Sequence, residues 1–82
     1  MTTRLIIVRA EWDPEASVWI ATSHDVPGLA TEAESLELLR DKLQLMIPNL
    51  MDANDMTSDL VEIPVHIIAE IGTRVLNPRA AA

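Results

Sequence analysis

The hydrophobic pattern of the first 22 residues predicts a β-hairpin. The run from Leu5 to Val8 is apolar at every position, which is typical of a central strand covered on both faces. A second apolar run, Val18–Thr22, follows after a short polar segment. In that segment Pro14 presets φ for the second position of a turn, and the side chain of Asp13 can bond its own backbone. The two runs are therefore expected to form antiparallel strands joined by a turn.

A second turn and a short third strand are predicted next. Pro27 followed by Gly28 suits a type II turn, because glycine adopts positive φ at low cost. The residues from Leu29 to Ala33 then form a short third strand.

One amphipathic helix is predicted after the third strand. Ser35 is a suitable N-cap, and Glu34 and Glu37 lie where the helix dipole favours negative charge. Pro48 either ends or kinks this helix, and we expect a kink, with helix continuing to about Met51. The apolar stripe at helical spacing consists of Leu36, Leu39, Leu43, Met46, Ile47 and Leu50.

The last regular pattern predicts a fourth strand and completes the fold. The segment from Val61 to Ile71 alternates between apolar and polar residues, and Pro64 within it indicates an edge position or a bulge. A polar loop, Asp52 to Asp59, precedes it. The chain is therefore expected to be α+β, with element order βββαβ. Three strands form an antiparallel meander, the fourth is parallel to the first (order 3-2-1-4, by a right-handed crossover), and one helix covers one face. This domain is expected to span residues 1–76, with 77–82 as a flexible tail.

The uncovered face of such a sheet predicts self-association. The first strand is apolar on both sides, and Ile68 lies on the side that the helix leaves open. These side chains need a second cover, and the simplest one is another copy of the chain. We therefore expect a homodimer or a higher oligomer.

Composition excludes several classes of function. With 82 residues and a net charge of −7, the chain is a single acidic domain, which argues against direct nucleic-acid binding. It has no Cys and two Gly, so disulfides, thiolate chemistry and a Gly-rich phosphate loop are not expected. No segment approaches the roughly 20 apolar residues of a membrane span, and the N-terminus lacks the features of a signal peptide. The expected location is cytoplasmic.

The acidic residues between Glu11 and Glu37, a stretch without Lys or Arg, are the candidate binding residues. They can form a docking surface for a basic protein, whose approach their charge would steer. Alternatively, they form a solvated face together with favourable charges at the helix start. Trp19 is one of two aromatic residues and can anchor a partner, or it can be a core or dimer contact. The candidate partner-binding residues are Glu11, Asp13, Glu15, Trp19, Asp25, Glu32 and Glu34.

Catalytic and metal-binding alternatives are weaker. Glu11, Asp13 and Asp25 could converge on Mg²⁺, but both Asp residues lie in Pro-containing turns, where Asp has a backbone role. His24 beside Asp25 could be a base with its orienting partner, but no nucleophile lies near it. His24 and His66 are far apart in a chain without Cys, which is a poor zinc signature. We expect no enzyme activity, no metal and no cofactor.

The turn at Pro27 and Gly28 and the helix start at Ser35 resemble those of the HicB-like antitoxin domain. The resemblance covers about Thr3 to Val75. The segment from Trp12 to Ser23 (WDPEASVWIATS) looks most like an uncharacterised branch of that superfamily. The chain departs from the family at Ala33, where Gly is frequent, and at Leu38-Leu39, where Glu-Ala is frequent. The matching residues are Asp25-Val26-Pro27-Gly28-Leu29 with its structural turn at Pro27 and Gly28, then Thr31, then Glu34-Ser35-Leu36-Glu37.

The resemblance implies a fold and a function. The fold is the βββαβ sheet described as degraded ribonuclease-H-like. The implied function is direct binding and neutralisation of a small basic toxin that cleaves mRNA. Because the chain stops after its fourth strand, the C-terminal DNA-binding element of many family antitoxins is not expected here. The alternative is an orphan homo-oligomeric domain with a regulatory or structural role.

Overall fold

The computed structural model describes residues 5–56 and 61–79 as one four-stranded sheet with one helix. The order in the sheet is β3-β2-β1-β4, with β1/β2 and β2/β3 antiparallel and β1/β4 parallel. The predicted α+β class, element order and 3-2-1-4 sheet are therefore confirmed. The elements are β1 (Ile6–Asp13), β2 (Val18–Thr22), β3 (Ala30–Ala33), α1 (Leu36–Ala53) and β4 (Val65–Glu70).

The two strands that pair in parallel have limits different from those expected. Strand β1 continues past Val8 to Asp13, because its second half pairs with β2. Strand β4 begins only after Pro64, so the predicted start at Val61 is wrong. The carbonyl of Pro64 still accepts a hydrogen bond from the Ile6 amide at 3.1 Å. Proline has no amide hydrogen for a ladder with β1, which agrees with a strand that begins only after Pro64. The predicted edge position of this strand is confirmed.

The turn and the helix start form as the sequence predicts. Gly28 has φ 85°, and the Leu29 amide donates to the carbonyl of Val26 at 3.2 Å, which closes the turn. Ser35 has an extended backbone, and its Oγ accepts from the amide of Leu38 at 3.1 Å. That bond satisfies one of the free amides of the first helical turn.

The helix passes through Pro48 and ends two residues later than expected, at Ala53. Asn54 caps its C-terminus: both its backbone amide and its Nδ2 donate to the carbonyl of Leu50, at 3.0 and 2.7 Å. The predicted polar loop therefore starts after Ala53, and residues 57–60 of it lie outside the described part of the chain.

The core lies between α1 and one face of the sheet. Met51 belongs to it, although the predicted apolar stripe ended at Leu50. Trp12 and Trp19 are cross-strand partners on this same face, packed edge to face with ring centroids 5.3 Å apart. The buried side chains of the described residues are all apolar: Ile6, Val8, Ala10, Ala21, Val26, Leu29, Ala33, Leu39, Leu43, Ile47 and Met51.

Residues 71–79 follow β4 without helix or strand and are exposed throughout. The predicted boundary between residues 76 and 77 stays a prediction, and residues 80–82 of the predicted tail lie outside the described residues. Within residues 5–56 and 61–79 no helix has both the length and the apolar character needed to cross a membrane.

Replacing a core leucine of α1 should destabilise the fold far more than replacing an exposed one. Leu43 is 2% exposed, so Leu43→Ala should lower the free energy of unfolding by about 2–5 kcal/mol. Leu45 is 74% exposed, so Leu45→Ala is the matched control and should change it by less than about 0.5 kcal/mol. Urea unfolding followed by Trp fluorescence measures both. Equal losses would contradict this placement of the core.

Candidate functional site

The face of the sheet opposite α1 has no cover among the described residues, and we call it the open face. Side chains alternate between the two faces of a strand, so the residues between the buried ones of β1 point to this side. Ile20 and Ile68 are exposed here by 41% and 44%. The open face comprises Ile7, Arg9, Glu11 and Asp13 of β1, Val18, Ile20 and Thr22 of β2, Ala30 and Glu32 of β3, and His66, Ile68 and Glu70 of β4.

Three carboxylates form one row across the open face, which we call the acidic row. Glu32 is the partner of Ile20, Ile20 is the partner of Glu11, and Glu11 is the partner of Glu70. The row therefore runs across all four strands, which lie about 4.8 Å apart. Glu11 and Glu70 are direct neighbours of like charge, an arrangement that is unfavourable without a compensating cation.

No carboxylate of the acidic row forms an ion pair within the described part of the chain. On the open face its neighbouring cation by register is Arg9, whose partners on the adjacent strands are Thr22 and Ile68. Lys42 of α1 donates from Nζ to the backbone carbonyl of Glu32 at 2.6 Å and forms no ion pair with the Glu32 carboxylate. Among residues 5–56 and 61–79 the only ion pair within 4.0 Å joins Arg40 Nε to Asp41 Oδ1 at 3.6 Å, and both of these lie on α1. The open face therefore presents negative charge around the exposed Ile20.

Asp25 bonds the backbone at the start of β1 and does not belong to the acidic row. Its Oδ2 accepts a hydrogen bond from the Ile7 amide at 2.8 Å, and Ser23 Oγ donates to the Ile7 carbonyl at 2.6 Å. The last residue pair of β1 with β2 joins Arg9 to Thr22. Two side chains thus replace the next ladder bonds, and we call them the Ser23–Asp25 clip.

The other candidate residues are dispersed. Asp13 Oδ1 accepts from the Glu15 amide at 3.0 Å, so it holds the turn between β1 and β2, as its position predicts. Trp19 is half-buried against the core on the helix side of the sheet. Glu34 is exposed just before the N-cap. Of the seven predicted partner-binding residues, the structure places Glu11 and Glu32 in one row, with Asp13 at the end of the same face.

The three residues of the magnesium hypothesis do not converge. Asp25 bonds the backbone of Ile7, whereas Asp13 is six residues further along β1, about 20 Å away at strand spacing. No group of three or more His, Asp or Glu in the described ranges is close enough to hold a metal ion. The carboxylates of these turns are used by the backbone instead.

A groove separates α1 from β4 on the helix side of the sheet. Its volume is about 560 Å³ and its lining is mainly apolar. It runs beside Val65 and Ile67 of β4, which are only half-buried because α1 lies towards the β2 and β3 side of the sheet. Its lining also includes Ile47 and Met51 of α1 and Ile63 before β4.

Sequence reasoning missed Glu70 of the acidic row and also Ile20, which lies between Glu11 and Glu32 in that row. Both were assigned to strands, but their place beside Glu11 depends on the register of two strand pairs. The alternation of the fourth strand did indicate that Glu70 shares a face with Ile68. Its residue-by-residue partner could not be derived, because the long crossover through α1 leaves the parallel register open.

The fold and the open face define a small acidic α+β domain with one covered and one uncovered sheet face. The chain belongs to the family described as Domain of unknown function (DUF1902), which matches residues 5–77. Among solved structures it is similar to that of the hypothetical protein TTHA1013 from the extremely thermophilic bacterium Thermus thermophilus. The two are 44% identical with a TM-score of 0.67, over 90% of this chain and 100% of that one. A search of curated proteins found no match.

Removing the Asp25 carboxylate should loosen the start of β1. In Asp25→Ala the Ile7 amide loses a charge-assisted bond, so the free energy of unfolding should fall by about 1–2 kcal/mol. Glu34→Ala is the matched control, because this exposed carboxylate precedes the N-cap and should cost under about 0.5 kcal/mol. Urea unfolding gives the stabilities, and hydrogen exchange of the Ile7 amide gives the local effect. Unchanged exchange at Ile7 would contradict the clip.

Proposed function

We propose that this chain is a non-catalytic protein-binding module whose open face docks a small basic protein. The acidic row carries the proposal, because it places three carboxylates around an exposed isoleucine on a face without cover in the described structure. Charge of one sign steers a partner of opposite sign, and a central apolar residue supplies contact area that a purely charged surface lacks. The core partner-binding residues are Glu11, Ile20, Glu32 and Glu70.

Charge also argues for a basic partner over a second copy on this face. Two open faces packed together would bring one acidic row close to another, with Arg9 as the only arginine or lysine among the described residues of each face. Like charges across an interface cost free energy unless they are neutralised. A partner rich in Lys and Arg removes that cost and completes the row.

The resemblance to HicB-like antitoxins indicates which basic partner to expect. The turn at Pro27 and Gly28, the cap at Ser35 and the βββαβ sheet all agree with that resemblance. The proposed role is therefore antitoxin-like: the chain binds a small basic toxin that cleaves mRNA and blocks its activity. Such neutralisation takes place in the cytoplasm and uses neither direct nucleic-acid contact nor a cofactor.

A second candidate is an orphan homo-oligomeric domain with a regulatory or structural role. The exposed Ile20 and Ile68 favour it, because a second copy would cover both. In that case the acidic row would need another source of positive charge at the interface.

The tagged chain, purified from its native host, should retain a stoichiometric small basic protein detected by mass spectrometry. The double variant Glu11→Gln/Glu32→Gln should lower its recovery about tenfold, because it removes two charges from the docking face. The matched control is Glu37→Gln/Asp52→Asn, which removes two exposed charges from α1 and should leave recovery unchanged.

The captured protein should cleave mRNA when freed from the chain, and adding the chain back should inhibit it. Recovery of this chain alone would refute the basic partner and favour the orphan oligomer. Equal losses in the two double variants would refute the open face as the docking surface. A captured protein without ribonuclease activity would refute the antitoxin-like role while leaving a binding module.

A further inference from the structure

The nine residues after β4 form an arm that projects from the domain. Ile71, Val75 and Leu76 are 64%, 86% and 96% exposed. Apart from the neighbours of Gly72 in the chain, no heavy atom of the described residues lies within 4 Å of where a Cβ on Gly72 would be. The molecule measures 61 × 29 × 19 Å, so its long axis is about twice its next dimension. The arm, residues 71–79, therefore exposes apolar side chains that the domain does not cover.

We propose that this arm pairs with β4 of a second copy, antiparallel and reciprocally, so that the chain forms a two-fold dimer. Within residues 5–56 and 61–79, strand β4 is at the edge of the sheet and pairs only with β1. An edge strand presents unpaired amides and carbonyls that accept another strand. The free edge of β4 is a different surface from the open face, although Ile68 and Glu70 border both. The inference is argued from the edge and the arm, so it does not rest on the proposed function.

The backbone of β4 determines which residues can pair outward. The Ile6 amide bonds the carbonyl of Pro64, and Ile6 is the register partner of Val65. Alternate residues of a strand direct their N–H and C=O groups to the same neighbour, so the even-numbered residues of β4 direct theirs to β1. The odd-numbered residues, Val65, Ile67 and Ala69, therefore point theirs to the free edge.

In the proposed dimer the arm continues β4 in extended conformation, so its backbone groups alternate in the same way between the two sides of the strand. Its outward set is Ile71, Thr73, Val75 and Asn77. Pro64 and Pro78 are both even-numbered, so neither removes an amide from the free edge. The Arg79 amide donates to Asn77 Oδ1 at 3.1 Å, so the pairing segment ends at Asn77.

Charge selects the register of this pairing. In an antiparallel pair, two residues directly opposite each other have their side chains on the same face of the sheet. A two-fold axis perpendicular to the sheet must therefore lie at one residue, which pairs with its own copy, and not between two successive residues. A centre at Glu70 would put two glutamates together, whereas a centre at Ile71 would put Arg74 opposite Ile68. A centre at Gly72 puts Arg74 opposite Glu70, and the exposed Leu76 opposite the exposed Ile68.

The Gly72 register also fits the surroundings of β4. The arm carries Arg74 and Arg79 and no acidic residue in a chain of net charge −7, so it complements the body of another copy. Arg74 of one copy would neutralise Glu70 of the other, which lies beside its like-charged neighbour Glu11. Each sheet would gain a fifth strand next to β4, along the edge where the groove between α1 and β4 opens.

A charge exchange tests the register in the full chain. Light scattering at micromolar concentration should give twice the chain mass of 9.1 kDa. Glu70→Arg and Arg74→Glu should each weaken the dimer about tenfold or more, since each creates like-charged pairs at both symmetric positions. The double variant Glu70→Arg/Arg74→Glu restores opposite charges and should restore the dimer. A monomeric native chain, or a double variant no better than the singles, would overturn the proposal.

A cross-link tests the two-fold centre independently of charge. Gly72 faces itself across the axis as a non-hydrogen-bonded pair, with Cα atoms about 4.5 Å apart, within disulfide range. The chain has no Cys, so Gly72→Cys should form a covalent dimer on mild oxidation. Leu76→Cys is the control. In this register Leu76 lies opposite Ile68 of the other copy, eight residues along the strand from that copy's position 76, so this variant should not cross-link. A dimer in which Leu76→Cys cross-links as readily as Gly72→Cys would refute this register.

Discussion

One helix covers one face of a four-stranded sheet, and this asymmetry determines the rest of the molecule. The buried side chains of β1 and β2 all point towards α1, where Leu39, Leu43 and Ile47 meet them. A chain of 82 residues has no further helix for the other side within its described part. The open face must therefore combine apolar side chains, which strand formation favours, with charges that keep it solvated.

The central strand is held at both ends by side chains as well as by its neighbours. The Ser23–Asp25 clip satisfies the Ile7 backbone where β2 has already turned away, and Asp13 closes the turn at the far end. Two of the conspicuous acidic residues are thus committed to the backbone. What remains for a partner is the acidic row, in which each carboxylate lies on a different strand.

Local signals explain why much of the fold could be predicted from the sequence. The turn at Gly28 and the cap at Ser35 each depend on a bond between residues three positions apart in the sequence. The start of β4 could not be derived from alternation, since Val61 fits the pattern yet lies outside the sheet. The pattern describes which side chains would share a face, whereas pairing requires a neighbouring strand within hydrogen-bond reach.

The candidate site was less predictable because it depends on pairing between distant segments. Proximity in sequence grouped Asp25 with Glu32, yet Asp25 bonds β1 while Glu32 stands in the acidic row. Trp19 lies on the covered face by the same alternation that places Ile20 on the open one. Glu70 joined the site only through the parallel register with Glu11, across an intervening helix.

Glu70 connects the two surfaces that the fold leaves available. It is the last residue of the acidic row and also the last residue of β4, from which the arm departs. A cation brought to Glu70 by the arm of a second copy would lower the repulsion with Glu11 and weaken the negative field at that end of the open face. Glu11 and Glu32, on the strands further from that edge, would keep their charge for a basic partner. The proposed self-association at the sheet edge and the proposed partner binding on the sheet face would therefore use different strands but be coupled electrostatically through this one carboxylate.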